Sequence, residues 1–147
     1  AQPFERITND QLIALKVDAL LPCALDGAIH ENNAGSIQAK IIVEGANGPC
    51  TKEADRILID KGIINVPDIL ANGGGVIVSY FEWVQGIASF FWTEEEVNEK
   101  LHGQITSAFK RVLDFSKEKN IDMRTAAMCV ALKRLERAMV LRGFYPR

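Results

Sequence analysis

The sequence predicts an α/β chain: a partial parallel sheet of about three strands with crossover helices, followed by C-terminal helices. Two observations carry this. Short β-branched apolar runs alternate with capped helical segments through the first half, and strands separated by helices imply right-handed crossovers and a parallel sheet. Beyond residue 93 the apolar residues recur only at helical spacing.

Taken in order, Thr8-Asn9-Asp10-Gln11 has capping-box spacing and opens a short helix, DQLIALK. VDALLPCAL reads as a short apolar strand ending at Pro22, and ENNAGSIQ as a polar turn or short helix. AKIIVEGA is a buried strand running into Gly45. Thr51 caps the helix KEADRILIDK, which Gly62 closes. IINVPD is a third strand, stopped by Pro67. The segment from Gly75 to Gln85 is ambiguous: Val76, Ile77 and Val78 favour a strand, whereas a helix puts Gly75, Val76 and Ser79 on one face, and the helix is preferred. A second capping box, Thr93 to Glu96, starts a helix with the stripe Val97, Leu101, Ile105, Phe109 and Val112, lasting to about Lys117. Asp122 caps a last helix, Met123 to Arg142, with Gly143 as its stop.

The chain of 147 residues is long enough for one core. Its net charge is −2 and it has no basic face, which argues against nucleic acid and anionic membranes as partners. No apolar stretch reaches the roughly 18 residues a membrane span needs. Cys23, Cys50 and Cys129 are odd in number and form no CxxC, so reduced thiols in an intracellular protein are expected. His30 and His102 are too few and too far apart for a metal pattern, and no metal site is expected.

Ligands of parallel sheets bind beyond the carboxyl ends of the strands. Three loops leave those ends: Pro22–Gly27, Glu44–Thr51 and Pro67–Gly75. Two of them carry an Asn beside Gly. Glycine lets a ligand approach the main chain, and an Asn amide offers donors and an acceptor suited to a carboxamide or a ribose hydroxyl. An Asn-Gly pair is equally an ordinary turn, and both readings stay open on the motif alone. Ser79 is the one hydroxyl in the apolar run that follows the glycines. It is either a helix serine bonded to the preceding turn or a donor to a polar ligand. Glu82 reads as solvated, and the aromatic stripe of Phe81, Trp83, Val84, Phe90, Phe91 and Trp92 reads as core rather than as a stacking platform. No GxGxxG turn follows a first strand.

The stretches KIIVEGANGPCTKEAD, VPDILANGGGVIVSYFEWVQ, WTEEEVNEKL and DMRTAAM closely resemble the C-terminal part of glutamate dehydrogenases, within the Glu/Leu/Phe/Val dehydrogenase family. The resemblance covers about Ile7 to Gly143. It implies the second half of a Rossmann-like NAD(P)-binding domain, with the helices from about residue 75 onward packing back towards the cleft. It also implies oxidative deamination of L-glutamate to 2-oxoglutarate and ammonia, with NAD or NADP as cofactor. Asn47, Gly48, Asn72, Gly74, Cys23 and Ala24 would bind cofactor. Gly75 and Val76 would touch the substrate, and Ser79 would hydrogen-bond its side-chain carboxylate. No catalytic residue is assigned to this chain, because the family's catalytic lysines and aspartate lie in the other domain, so the chain by itself is expected to be inactive. A homo-oligomer, hexameric by resemblance, and a cytoplasmic location, with a mitochondrial one left open, are implied as well. Two departures are mild: Gly73 stands where alanine or serine is common, and Cys50 where threonine is. The alternative is a stand-alone truncated homologue that acts as a binding module.

Overall fold

A computed structural model describes residues 6–143. They fall into two compact units, one ending at Asp68 and one beginning at Ile69.

The first unit opens with α1 (Asn9–Ile13). The Thr8 hydroxyl accepts the Gln11 N–H at 3.2 Å and the Gln11 amide oxygen accepts the Thr8 N–H at 2.8 Å, the reciprocal box that the spacing predicts. The helix stops three residues short of Lys16. The Asp18 carbonyl accepts the N–H groups of Lys40 and Ile41, which draws the chain into the sheet. Three parallel strands follow, β1 (Ala19–Leu20), β2 (Ile41–Val43) and β3 (Ile64–Val66), in spatial order β1-β2-β3. Ala19 pairs with Ile41, Ile41 with Ile64, and Val43 with Val66. The first strand is far shorter than the nine-residue apolar run suggests, because the Pro22 carbonyl turns to accept both Gly45 and Ala46 N–H groups. That closes the β1 loop against the β2 loop instead of extending the ladder.

The segment between β1 and β2 is a turn with one 3₁₀ element, Ala34–Ser36. The Lys61 ammonium donates to the Gly35 and Ile37 carbonyls at 2.6 and 2.7 Å, satisfying acceptors that the turn leaves over. Between β2 and β3 lies α2 (Lys52–Asp60), capped by the Thr51 hydroxyl on the Ala54 N–H at 3.1 Å. Its residues Ala54 and Leu58 are four apart, share one face, and are fully buried. With Ile29, Ala34, Ile37, Ala39, Ile42 and Cys50 they make a single hydrophobic cluster.

One short helix escaped the sequence reading: α3 (Asp68–Ala71), inside what reads as a loop after Pro67. The second unit then runs α4 (Gly74–Ala88), α5 (Glu94–Lys119) and α6 (Met123–Arg142). The ambiguous segment is therefore helical. Both α5 and α6 begin at the predicted caps, Thr93 and Asp122. The aromatic stripe departs from expectation. Phe81 is buried and packs edge-on against the half-buried Trp92 at 5.6 Å, but Trp83, Phe90 and Phe91 are exposed. The cause is the end of α4. Ser89 takes a left-handed conformation, and the buried Gln85 amide oxygen accepts the Trp92 N–H at 2.6 Å, so the chain turns there and only Trp92 is brought inward. Glu82 is exposed, as predicted.

Cys50 is buried, Cys129 on α6 half-buried and Cys23 exposed. Among the described residues no helix is long and apolar enough to cross a membrane.

Candidate functional site

In the first unit the loops at the carboxyl ends of β1 and β2 are zipped together. Gly27 N–H donates to the Gly48 carbonyl at 2.9 Å, Ile29 N–H to the Pro49 carbonyl at 2.8 Å, and Thr51 N–H to the Ile29 carbonyl at 2.9 Å. Asn47 and Gly48 stand exposed at the tip of the β2 loop. Gly48 has φ +56°, in the left-handed region where a Cβ is costly. Its N–H donates to Asp68 Oδ2 at 2.8 Å. The turn is thus held from both sides, and the glycine is there for its backbone conformation: a Cβ at Gly48 would meet no atom within 4 Å.

Gly48→Ala is accordingly expected to destabilise the protein by about 1–3 kcal/mol through backbone strain alone. Gly48→Asn should cost less, since Asn tolerates the left-handed region. Urea unfolding of the two variants checks the order. A loss at Gly48→Asn equal to or larger than that at Gly48→Ala would show that φ is not what selects glycine there.

Beneath that turn lies a polar network absent from the sequence reading. Glu44, the residue after β2, is fully buried. Its Oε1 accepts Asn65 Nδ2 at 2.7 Å, and its Oε2 accepts the Asp68 N–H at 2.9 Å. The same Asn65 amide nitrogen donates to Asp55 Oδ1 at 3.0 Å. Ligand atoms of Glu44, Cys50 and Asp55 lie within 4.8 Å of one another. The Asn65 amide nitrogen is shared between the two carboxylates, and the Asn65 Oδ1 is buried without a hydrogen-bond partner among the described residues. The only signal in sequence is a charged residue at the end of a buried strand, with its partners 21 and 24 positions away.

Cys23 and Ala24 are exposed in the loop after β1. They line a cleft of about 770 Å³ together with Ile13, Leu20, Pro22 and Asn33. Asn47 and Gly48 stand outside that lining.

In the second unit, Gly75, Val76 and Ser79 are all exposed on the first turns of α4, as helical spacing requires. The Ser79 side chain makes no hydrogen bond to the preceding turn among the described residues. Asn72 is half-buried just before the helix. The neighbouring glycines differ in purpose. A Cβ on Gly74 would lie 3.3 Å from Ile105 Cδ1, so Gly74 lets α5 approach α4 closely, whereas a Cβ on Gly75 would meet nothing within 4 Å. The motif assigns both glycines to ligands; the packing of Gly74 depends on Ile105 of α5, far along the sequence.

A three-stranded parallel sheet with its helices and with paired loops at the carboxyl ends defines the class: an α/β unit of Rossmann type. The sequence profile of the Glutamate/Leucine/Phenylalanine/Valine dehydrogenase family matches residues 1–143, and the chain belongs to that family. It is 55% identical over 142 residues to the glutamate dehydrogenase of Thermotoga maritima, which covers 97% of this chain and 34% of that protein. It is 49% identical over 140 residues to an NAD-specific glutamate dehydrogenase of Staphylococcus aureus, covering 95% of this chain and 34% of the relative. Among solved structures, the leucine-bound hetero-hexameric glutamate dehydrogenase of Thermus thermophilus superposes with a TM-score of 0.91 at 36% identity, over 99% of this chain and 35% of that one. The chain thus spans about a third of the length of the relatives it matches.

Proposed function

We propose that this chain is the cofactor- and substrate-binding part of an NAD(P)-dependent glutamate dehydrogenase, which oxidatively deaminates L-glutamate to 2-oxoglutarate and ammonia. The observation that carries the reading is the exposed Asn47–Gly48 turn, pinned at the carboxyl end of the parallel sheet, in a chain about half identical to glutamate dehydrogenases. The residues fit a dinucleotide. Asn47 offers an amide with two donors and an acceptor, Gly48 keeps the adjoining main chain bare, and Cys23 and Ala24 border an open cleft.

A nicotinamide cofactor bound there would supply the hydride acceptor for the substrate's α-carbon. The chain's own residues bind and orient. In the first unit, Asn47 and Gly48 hold the riboside while Cys23 and Ala24 line the cofactor's edge. For the second unit, taken by itself, the reading gives Asn72 and Gly74 to the cofactor, Gly75 and Val76 to the substrate's aliphatic chain, and Ser79 as a donor to its side-chain carboxylate. The proton relay is the task of groups in the other domain. A homo-hexamer is the assembly that goes with this reading; its subunit number is that of the hetero-hexameric Thermus relative, and a cytoplasmic location goes with it.

The test is a steady-state assay of the complete enzyme with glutamate, leucine and phenylalanine, following cofactor reduction with NAD and NADP. Glutamate is expected to give the highest kcat/KM. A preference for leucine or phenylalanine would overturn the substrate assignment.

A further inference from the structure

Gly48 is held by a carboxylate that is itself held. Asp68 Oδ2 accepts the Gly48 N–H at 2.8 Å, and the Asp68 N–H donates to the fully buried Glu44 at 2.9 Å. The peptide that carries the Gly48 N–H also carries the Asn47 carbonyl. Fixing that N–H therefore fixes the plane from which the Asn47 side chain departs. On the other side, the Gly48 carbonyl accepts the Gly27 N–H at 2.9 Å. Gly48 is thus held through its carbonyl by the β1 loop and through its N–H by the Asp68 side chain after β3.

We infer that Asp68 is a positioning residue for the cofactor site: it orients Asn47 through the Asn47–Gly48 peptide, and Glu44 sets the backbone of Asp68 for that task. This rests on the reading of Asn47 as a cofactor ligand. Asp68 touches no cofactor in this scheme. Its contribution is preorganisation, so that Asn47 loses less freedom on binding. A bond from a backbone N–H to a charged acceptor is of the stronger kind, and the Asn47–Gly48 tip that it holds is exposed.

The experiment is a double-mutant cycle on the complete enzyme, with cofactor dissociation constants from calorimetry and kcat and KM for both substrates. Asp68→Ala is expected to weaken cofactor binding roughly tenfold, the scale of one hydrogen bond to a charged group. The KM for glutamate should move little. Asp68→Asn keeps an acceptor for Gly48 and should recover most of the loss. The decisive variant is Asn47→Ala combined with Asp68→Ala. If Asp68 acts through Asn47, the pair binds cofactor no worse than Asn47→Ala alone. Losses that multiply would overturn the inference, because a general effect on the fold adds to the loss of Asn47. A loss at Asn47 with none at Asp68 would also overturn it and would leave the reading of Asn47 intact. No loss at Asn47 would overturn both. Should Asp68→Ala fail to fold, Asp68→Ser, whose shorter side chain does not reach the Gly48 N–H, carries the same cycle and is judged by the same rule.

Discussion

Ser79→Ala in the complete enzyme is expected to lower kcat/KM for glutamate by about one to two powers of ten while leaving norvaline nearly unchanged. The reasoning starts from α4. Ser79 is exposed one turn after Gly75, on the face that also carries Val76, and its hydroxyl is not spent on the preceding turn among the described residues. A hydrogen bond to a charged carboxylate contributes roughly 1.5–3 kcal/mol. Glutamate has that carboxylate and norvaline lacks it, so the loss should follow the side chain of the substrate. Cofactor KM should hold, since those contacts belong to other residues. Circular dichroism of the variant guards against unfolding. Equal losses for both substrates would make Ser79 an ordinary helix residue.

Leu58→Ala is expected to remove about 2–5 kcal/mol of stability, the range for deleting a buried leucine side chain. Leu58 is fully buried on α2, in the cluster with Ile29, Ile37 and Ile42. Those neighbours are β-branched and stiff at χ1, so they relax poorly into the space left behind. Leu58→Met, close in volume, should cost less than about 1.5 kcal/mol. Urea unfolding of the two variants decides. Similar small losses would mean that the cluster repacks freely.

The elements most legible in the sequence are those fixed by local chemistry. Both ends of α6 are legible because Asp122 and Gly143 mark them locally. α5 starts where Thr93 and Glu96 exchange hydrogen bonds three residues apart. Strand lengths are not legible in the same way, because hydrophobicity reports burial and not ladder bonds. Leu21 and Pro22 lie in an apolar run, yet the Pro22 carbonyl serves the β2 loop. At Val76–Val78 the β-branched residues pull towards a strand and the spacing towards a helix, and the helix won. The exposed Trp83, Phe90 and Phe91 show the reverse error: an aromatic residue is read as core, although nothing local says which way it points. Within the candidate site, Asn47, Ser79 and their glycines announce themselves by type. Glu44, Asn65 and Asp68 do not, since their meaning lies in partners some twenty residues apart.

The three thiols form a native clock for local opening. Cys50 sits in the core of the first unit and Cys129 half-buried on α6 in the second. Alkylation of Cys50 requires the first unit to breathe, and that of Cys129 reports on the second. Cys23, already exposed, supplies the unprotected rate within the same molecule. Mass spectrometry of alkylated peptides over time therefore yields a separate opening free energy for each unit without any engineered probe. If the two units open as one cooperative body, the protection factors of Cys50 and Cys129 will fall together as urea is raised.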